Sequence, residues 1–372
     1  MRIVITGADG FIGKNLGVRL AELGHKDVVG ITRATPETAL QDALRTADFV
    51  FHVAGVNRPL DPSEFADGNA GLTATVCTAL AAAGRKATVV LTSSTQATSD
   101  NPYGASKLGA EDAVRTYATA TGAVAHVFRL PNVFGKWARP NYNSAVATFC
   151  HNIARGLDIS VRDPAAPLHL VYIDDVLKAF VACLPTESAP APAATPQLEP
   201  VYNTTVGEVA EALRGFASSR TSLVSPRVGT GLTRALYSTY ISYLPPELFA
   251  YEVPMYTDPR GTFVEMLKTP DCGQFSFFTA APGVTRGEHY HHTKTEKFLV
   301  IRGTAHFGFR QIATGEYYEL TSSGAKAEIV ETVPGWTHNI TNVGEDELIV
   351  MLWANEIFDR QNPDTIAMKV KQ

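Results

Sequence analysis

The chain has 372 residues, of which 45% are hydrophobic and 19% charged, and its formal net charge is −5. This length favours two domains over one, and the slightly acidic balance argues against a nucleic-acid partner. The chain enters an apolar strand at once and has no apolar run approaching the roughly 20 residues of a membrane span, so we expect neither a signal peptide nor a membrane anchor. Its four cysteines lie far apart without CxxC spacing, which favours reduced thiols in a cytoplasmic protein.

Short apolar runs alternate with helical patterns in the first half of the chain. The runs lie at 3–5, 28–31, 49–53 and 88–92, and the Ala/Leu-rich segment 74–83 is typical of a helix between the last two. This βαβ rhythm predicts an α/β domain with a Rossmann-like, doubly wound parallel sheet.

The composition changes near the Pro245-Pro246 pair. Before it, the Pro/Ala-rich segment 186–200 is predicted to be an exposed loop of the first domain, because 206–216 again has the pattern of a helix. Beyond it, short alternating runs separated by turn residues predict an antiparallel all-β barrel or sandwich. We therefore predict two domains, 1–243 and 244–372.

A glycine-rich turn follows the first apolar run. Gly7, Gly10 and Gly13 stand between that strand and a predicted helix, which is the context in which such glycines bind a dinucleotide. Glycine permits the tight turn and lets a pyrophosphate approach the amino end of the helix, where the helix dipole favours an anion. The pattern predicts a dinucleotide site at the end of the first strand.

Tyr103 and Lys107 are four residues apart, so a helix places both on one face. A neighbouring ammonium would lower the pKa of the phenol and let the tyrosine exchange a proton with a carbonyl or an alcohol near neutral pH. Ser93 and Ser94 end the apolar run just before this pair. The alternative is a surface tyrosine and lysine with no role.

These motifs resemble the extended short-chain dehydrogenase/reductase family, from residue 1 to about residue 243. The resemblance includes His-Val-Ala-Gly at 52–55, Arg-Leu-Pro-Asn-Val-Phe-Gly at 129–135 and Val-Tyr-Ile-Asp-Asp at 171–175. It implies that Tyr103 and Lys107 are catalytic. It also implies that Lys107 and Ala54 contact the cofactor together with the three glycines.

The resemblance further implies that a serine or threonine near the tyrosine polarises the substrate carbonyl. By position Ser94 is the candidate, with Ser93 and Thr95 as alternatives. The segment between 94 and 103 is shorter than is usual in the family, so the choice among the three rests on position alone.

The end of the second apolar run indicates which cofactor to expect. Enzymes of this fold that use NAD end that strand with an acidic residue that binds the ribose hydroxyls. Here the run ends Ile31-Thr32-Arg33, and a guanidinium suits a 2′-phosphate instead. We therefore predict NADPH as the cofactor. The alternative is that Arg33 is only a solvent-exposed loop residue with no role in cofactor binding.

The second half carries three histidines and a glutamate with the spacing of a mononuclear metal site. His289 and His291 are i and i+2 on a predicted strand and so share a face. Glu296 is predicted to begin the partner strand, and His338 to arrive from a distant turn. This N3O set suits Zn, Mn, Fe, Co or Ni, and one divalent ion, zinc, is expected.

Two other histidines are not assigned to the metal. His292 has the wrong parity and is predicted to point away. The role of His306 is left open, because most histidines are simply hydrogen-bonded in the core or at the surface and bind no metal.

The segments Gly283-x5-His289-x-His291-x4-Glu296-x6-Gly303 and Pro334-Gly335-Trp336-Thr337-His338-x3-Asn342 resemble the two halves of the cupin signature. The one departure is that Gly335 directly follows Pro334 rather than standing two residues on. The resemblance implies a double-stranded β-helix, or jelly roll. A cupin whose metal is absent or only structural is the alternative.

The whole chain resembles the family of bifunctional capsular-polysaccharide enzymes that make a UDP-N-acetyl-L-fucosamine precursor. The resemblance rests on 54–59 (Ala-Gly-Val-Asn-Arg-Pro), 100–103 (Asp-Asn-Pro-Tyr) and 134–143 (Phe-Gly-Lys-Trp-Ala-Arg-Pro-Asn-Tyr-Asn). It implies a UDP-2-acetamido-2,6-dideoxy-hexos-4-ulose substrate, that is, a UDP-4-keto-6-deoxy-HexNAc. The cupin would epimerise C3 and the reductase would then reduce C4, giving a UDP-2-acetamido-2,6-dideoxy-L-talose.

The order of the two implied steps follows from chemistry, because the C3 proton is acidic only while C4 is a ketone. The base that removes this proton is not identified by the sequence. The alternatives are a reductase whose cupin is only a metal-stabilised assembly module, and a dehydrogenase fused to an oxygen-using cupin. The family resemblance also implies a homodimer or homotetramer.

Overall fold

The computed structural model describes residues 1–186, 189–292, 294–312 and 314–371. Contacts divide the chain into two compact units, Met1–Leu213 with Arg234–Pro245, and Arg214–Thr233 with Pro246–Gln372. The boundary predicted after residue 243 falls two residues before the end of the first unit at Pro245. Segment 214–233, which the sequence placed in the first domain, groups with the second unit.

The first unit is built on a five-stranded parallel sheet. Its strands are β1 (Ile3–Thr6), β2 (Val28–Ile31), β3 (Phe49–His52), β4 (Thr88–Ser94) and β5 (Ala125–Leu130). Their order is β2-β1-β3-β4-β5, and every residue of β1, β3 and β4 is buried, as expected for strands covered on both faces. The predicted doubly wound sheet is confirmed. The strand order reverses beside β1, and such sheets bind ligands in the crevice at that point.

Helices connect these strands and extend the unit. They are α1 (Phe11–Glu22), α2 (Glu37–Arg45), α3 (Leu72–Ala82), α4 (Pro102–Thr121), α5 (Ala145–Ile153), α6 (Ile173–Val181), α7 (Val206–Ser222) and α8 (Gly231–Ser242). A π-helix at Ala66–Gly71 leads directly into α3. In the part of the chain that the structure describes, no helix is long and apolar enough to cross a membrane.

Helix α4 presents the predicted catalytic pair in its first two turns. Its start is determined locally, because the side chain of Asn101 accepts a hydrogen bond from the Gly104 amide at 2.8 Å and Pro102 occupies the first turn. It ends at Gly122, whose φ of 70° is the left-handed conformation that favours glycine.

A smaller sheet completes the first unit. Strand β6 (Asn132–Phe134) pairs in parallel with β7 (Pro167–Tyr172), which pairs antiparallel with β8 (Tyr202–Thr205). Among the described residues of 186–200 there is no helix and no named strand, as the Pro/Ala composition predicted.

The second unit is a sandwich of two sheets. Its strands are β9 (Met255–Asp258), β10 (Gly261–Thr269), β11 (Gly273–Ala280), β12 (Thr285–Tyr290), β13 (Glu296–Arg302), β14 (Thr304–Gln311), β15 (Tyr317–Ser323), β16 (Ile329–Glu331), β17 (Trp336–Asn342), β18 (Leu348–Ala354) and β19 (Ile366–Ala367). One sheet has the order β16-β13-β18-β11-β10-β9 and the other β15-β14-β17-β12-β19.

The inner faces of both sheets form one apolar core. Phe278, Phe298 and Val350 come from the first sheet, and Phe307 and Ile340 from the second. Their pairings are antiparallel throughout, so each strand alternates core-facing and solvent-facing side chains. This arrangement confirms the predicted all-β domain and agrees with a cupin.

Candidate functional site

The glycine turn between β1 and α1 is packed too closely for any side chain. Gly7 has a φ of 70°, and a Cβ there would lie 2.8 Å from the Cα of Ala54. A Cβ on Gly13 would lie 2.1 Å from the carbonyl oxygen of Gly7. The Gly10 amide closes the turn by donating to the same oxygen at 3.0 Å. The turn therefore leaves the amino end of α1 uncovered, as a pyrophosphate site requires.

A cavity of about 1750 Å³ opens above this turn. Its walls contain every residue predicted to bind the dinucleotide or to reduce the substrate: Gly7, Gly10, Gly13, Arg33, Ala54, Ser94, Tyr103 and Lys107. The volume exceeds the roughly 300–1,000 Å³ that is usual for one small ligand. The cavity is therefore large enough for a dinucleotide and a second molecule together.

Arg33 lies two residues beyond the end of β2, on the cavity wall. Its side chain is exposed and forms no hydrogen bond or ion pair with any residue that the structure describes. The guanidinium is thus available to a ligand at the end of β2, where the adenosine ribose lies in dinucleotide-binding sheets.

Tyr103, Ser94 and Lys107 converge at the carboxyl end of β4. The hydroxyls of Tyr103 and Ser94 are near enough to influence each other. The ammonium of Lys107 lies 5.9 Å from the centre of the Tyr103 ring and donates to the carbonyl of Thr92 at 3.1 Å. Two hydroxyls and one ammonium therefore meet at the wall of the cavity, as a carbonyl reduction requires.

Burial dominates the acid–base properties of this group. It lowers the pKa of Lys107 to about 8. It raises the pKa of Tyr103, and the neighbouring Ser94 hydroxyl opposes that rise. The predicted lowering of the Tyr103 pKa was therefore wrong as a net effect, because desolvation of the phenol outweighs the opposing contribution.

Ser93 occupies the other face of β4 and is already engaged. Its hydroxyl donates to the carboxylate of Glu111 at 2.6 Å, inside the protein. The guanidinium of Arg129 donates two hydrogen bonds of 2.8 Å to the same carboxylate. Thr95 is exposed at the start of a 3-10 helix. Of the three hydroxyls considered from the sequence, Ser94 is the one that influences the Tyr103 phenol.

Sequence reasoning missed Asn69, which supports this group from the π-helix. Its side-chain amide donates to the carbonyl of Val56 at 2.9 Å and to the hydroxyl of Ser106 at 3.0 Å, and its oxygen accepts from the Val56 amide. Ser106 immediately precedes Lys107, so Asn69 ties the loop at Val56 to the turn of α4 that carries the predicted catalytic pair. No periodicity or spacing in the sequence marks a π-helix.

His52 was also missed as a support for the glycine turn. Its ring is fully buried between the hydroxyls of Thr6 and Thr73, at 2.7 and 2.9 Å. Burial lowers the pKa of His52 to about 3, so the ring is neutral at physiological pH. A neutral ring can bridge a donor and an acceptor, and it holds Thr6, whose hydroxyl accepts from the Ala54 amide.

The four predicted metal ligands lie together in the second unit. The candidate ligand atoms of His289, His291, Glu296 and His338 all lie within 4.8 Å of one another. His291, Glu296 and His338 are buried and His289 is half-buried. Neither ring nitrogen of the buried His338 has a hydrogen-bond partner in the described part of the chain. Buried ring nitrogens without a protein partner, beside a carboxylate, fit the lining of a metal site.

The protonation states of the cluster also fit a cation. Burial, then the neighbouring His338, lowers the pKa of His289 to about 4, so this imidazole is a neutral donor. Burial would raise the pKa of Glu296, but the neighbouring His291 and His338 rings, and then the Lys294 ammonium, hold it well below its usual value. The Nδ1 of His291 is hydrogen-bonded to the carbonyl of Asp364, which leaves Nε2 directed at the cluster. Three imidazoles and one carboxylate suit a divalent ion.

Two expectations about how the strands deliver these residues were wrong. Glu296 does begin a strand, but β13 pairs with β16 and β18 in the opposite sheet rather than with the strand of His289. His338 lies within β17, directly across from His289 on β12, rather than in a turn. The cluster therefore bridges the two sheets.

The other two histidines lie outside this cluster. The His292 ring is exposed and packs edge-on against Tyr290. His306 forms an ion pair of 3.0 Å with Glu319. Both placements agree with the reading of the sequence.

Cysteines contribute nothing to either site. Cys77, Cys150 and Cys183 are buried free thiols, and Cys272 is exposed and free. Their separation agrees with the reduced state expected from their spacing.

Two family descriptions match the chain, one for each part. Residues 3–194 match the NAD dependent epimerase/dehydratase family. Residues 256–366 match the polysaccharide biosynthesis C-terminal domain.

Full-length relatives combine the same two parts. A UDP-2-acetamido-2,6-beta-L-arabino-hexul-4-ose reductase from Pseudomonas aeruginosa is 57% identical over 370 residues, covering 100% of this chain and 99% of the relative. The crystal structure of the capsular polysaccharide assembling protein CapF from Staphylococcus aureus has a TM-score of 0.90 at 43% identity, and each chain is covered completely. A Thermus thermophilus UDP-glucose 4-epimerase in complex with NAD has a TM-score of 0.52 at 18% identity over 65% of this chain and 99% of its own, which is a likeness of fold alone.

Proposed function

Because this chain belongs to the NAD dependent epimerase/dehydratase family, and within it to the bifunctional epimerase/reductases of capsular-polysaccharide synthesis, we propose that it performs two reactions on one UDP-sugar. The substrate is a UDP-2-acetamido-2,6-dideoxy-hexos-4-ulose. The second unit epimerises C3, and the first unit then reduces the C4 ketone with NADPH. The product is a UDP-2-acetamido-2,6-dideoxy-L-talose for capsule or O-antigen synthesis.

The observation that carries the reductase is that Tyr103, Ser94 and Lys107 line the same cavity as the glycine turn. NADPH, when bound there, would supply a hydride to C4. As the C4–O double bond becomes a single bond, the Tyr103 phenol donates its proton to the carbonyl oxygen and Ser94 holds that oxygen by its hydroxyl. The ammonium of Lys107 stabilises the tyrosinate, which regains a proton from solvent.

The remaining cavity wall suits the nucleotide part of the substrate. Trp137 and Tyr142 line it and are 50% and 38% exposed, so both rings are accessible to a ligand. The guanidinium of Arg139 lies 5.4 Å from the centre of the Tyr142 ring on the same segment. Aromatic faces stack on a pyrimidine base and guanidinium groups bind phosphates, so this segment is our proposed UDP site of the reductase.

In the second unit, His289, His291, Glu296 and His338 would hold a divalent ion, and we propose zinc. An ion at this position supplies a Lewis acid that polarises an oxygen of the substrate. The C3 proton is acidic while C4 is a ketone, because the resulting carbanion is delocalised onto the C4 oxygen. Epimerisation therefore precedes reduction.

Product analysis by NMR in deuterated water tests the proposal as a whole. Without NADPH, the 4-keto sugar should acquire deuterium at C3 and should not be reduced. With NADPH, the product should be a C4 alcohol that carries deuterium at C3. Reduction without deuterium at C3 would favour the alternative that the cupin is only an assembly module. Oxygen consumption would favour a dioxygenase.

Arg33 is the proposed reader of the 2′-phosphate of NADPH. Arg33→Asp removes the phosphate partner and supplies an acceptor for the ribose hydroxyls, so the preference for NADPH over NADH should fall by about 10- to 100-fold. The measurement is the ratio of the two kcat/KM values. Arg45→Asp is the matched control, because Arg45 is an exposed arginine outside the cavity wall that pairs with Asp42. An unchanged ratio in Arg33→Asp would mean that Arg33 does not contact the phosphate.

We also propose a cytoplasmic homodimer or homotetramer, following the family. Light scattering of the purified protein gives the assembly directly. A monomeric mass at micromolar concentration would contradict this part of the proposal.

A further inference from the structure

Arg286 places a guanidinium against the core of the second unit. The side chain is half-buried, and its buried Nε has no hydrogen-bond partner in the described part of the chain. The guanidinium carbon lies 5.0 Å from the centre of the Phe278 ring, a member of the apolar core. A buried charged donor without a partner is costly, and in native proteins it usually indicates a ligand, an ion or a water.

Strand pairing places Arg286 on the same face as the predicted metal ligands. Arg286 on β12 is directly opposite Ile340 on β17, and His289 is directly opposite His338. Directly opposed residues point to the same side of a sheet. Ile340 and His338 are two residues apart and so share a face, and Ile340 belongs to the core. Arg286 and His289 therefore both face inward.

A β-bulge makes this possible, because residues three apart on a regular strand face opposite sides. The register shifts between Gly287 and His289, and Glu288 has a φ of 61°. This conformation is strained for a glutamate. The Glu288 carboxylate accepts hydrogen bonds from the Asn339 side chain at 2.8 Å and from the Val370 amide at 2.7 Å, which hold the bulge in place.

The charges around Arg286 leave a net positive region. Arg260 lies near enough to Arg286 to repel its charge. Arg260 has its own partner, since its side chain and its backbone amide donate to the carboxylate of Asp258. Asp258 is thus shared by two guanidinium groups and engaged directly by one. Burial, then Arg260, lowers the pKa of Arg286, whereas Asp258 opposes this shift. One unmatched positive charge remains available for an anion.

We propose that Arg286 binds the diphosphate of the nucleotide-sugar substrate in the second unit. This inference rests on the proposed function, in which both units must hold the same substrate. The substrate carries its charge on the diphosphate, next to C1 of the sugar, and reacts at C3. Arg286 and His289 are paired with residues two positions apart on β17, a separation of about 7 Å along the strand. A hexose ring spans a distance of this order, so the sugar would lie over the metal ligands.

The first test is the rate of deuterium incorporation at C3, measured without NADPH over a range of substrate concentrations. Arg286→Gln should raise the KM for this exchange about 10- to 100-fold, as expected for loss of a hydrogen bond to a charged group, and change kcat much less. Arg286→Lys should lie between wild type and Gln, because a lysine keeps the charge without the two-pronged geometry. Arg302→Gln is the control, since Arg302 is an exposed arginine of β13. An unchanged KM in Arg286→Gln, or a fall in kcat alone, would overturn the proposal.

The second test does not depend on catalysis. Calorimetric titration of the full chain with UDP should give two sites per chain in the wild type and in Arg302→Gln, and one in Arg286→Gln. Metal content and NADPH binding, measured on the same samples, should be equal in all of them. Equal UDP stoichiometry and affinity in wild type and Arg286→Gln would overturn the proposal. Absence of exchange in the wild type with two UDP sites intact would instead overturn the proposed epimerase.

Discussion

Replacing Tyr103 by phenylalanine should reduce NADPH oxidation by about 10²–10⁴-fold, the range typical of general acid catalysis. The phenol lines the cavity together with Ser94, and within the Tyr103/Lys107 pair it is the only hydroxyl able to protonate the oxygen at C4. Exchange of the C3 proton should continue at the wild-type rate, because that reaction is assigned to the other unit. Both rates can be followed on one sample, by absorbance of NADPH and by NMR in deuterated water.

Tyr117→Phe is the matched control for this variant. Tyr117 lies on the same helix, and its buried hydroxyl donates to the carbonyl of Ala87 at 3.0 Å. Loss of that hydrogen bond should cost about 1 kcal/mol of stability and leave the reductase rate unchanged. Full reductase activity in Tyr103→Phe would refute its assignment as the proton donor. Loss of C3 exchange in the same variant would contradict the division of labour between the two units.

Replacing His289 and His291 together by alanine should abolish metal binding, because two of the four candidate ligands disappear. Elemental analysis measures this directly. Deuterium should no longer enter C3 of the 4-keto sugar. The first unit has its own core and its own cavity, so NADPH binding and the folding of this unit should persist.

His292→Ala combined with His306→Ala is the matched control, since it removes two histidines that lie outside the cluster. This control should keep both its metal and its exchange activity.

Thermal unfolding of the His289/His291 variant then separates two roles for the ion. If the ion stabilises the fold, the second unit should unfold at a lower temperature, because metal-binding free energy contributes to folding. If the ion acts in catalysis, exchange should stop with little change in stability. Loss of metal with undiminished exchange would refute a metal role in epimerisation.

Local features of the sequence were sufficient to predict much of the first unit. A glycine turn after a short apolar run depends on backbone sterics within a few residues, and the close packing at Gly7 and Gly13 agrees with that reading. The pair Tyr103 and Lys107 is likewise local, because a helix places residues four apart on one face. The Pro/Ala-rich segment and the change to short alternating runs near Pro245 were visible as composition.

The sequence could not show in the same way which side chains of β4 face the cavity. Ser93 and Ser94 have the same side chain and adjacent positions, and every residue of the strand is buried, so no alternation of polar and apolar residues distinguishes its faces. Contacts with distant residues decide the matter: Glu111 engages Ser93, and Tyr103 engages Ser94. The net pKa of Tyr103 depends on burial, which is also a property of the assembled fold.

The sequence by itself determined the class of each unit, the glycine turn, the tyrosine–lysine pair and the four members of the candidate metal cluster. The turn and the pair rest on residue types at short, regular spacing, whereas His338 was assigned through the resemblance to the cupin signature. Only the tertiary structure decided that Glu296 reaches the cluster from the opposite sheet and that His338 lies directly across from His289. It also decided that Arg286 shares their face through the bulge at Glu288. The physical reason is that sheet order and register are set by pairing between distant segments, and a one-residue shift reverses the face of every side chain beyond it.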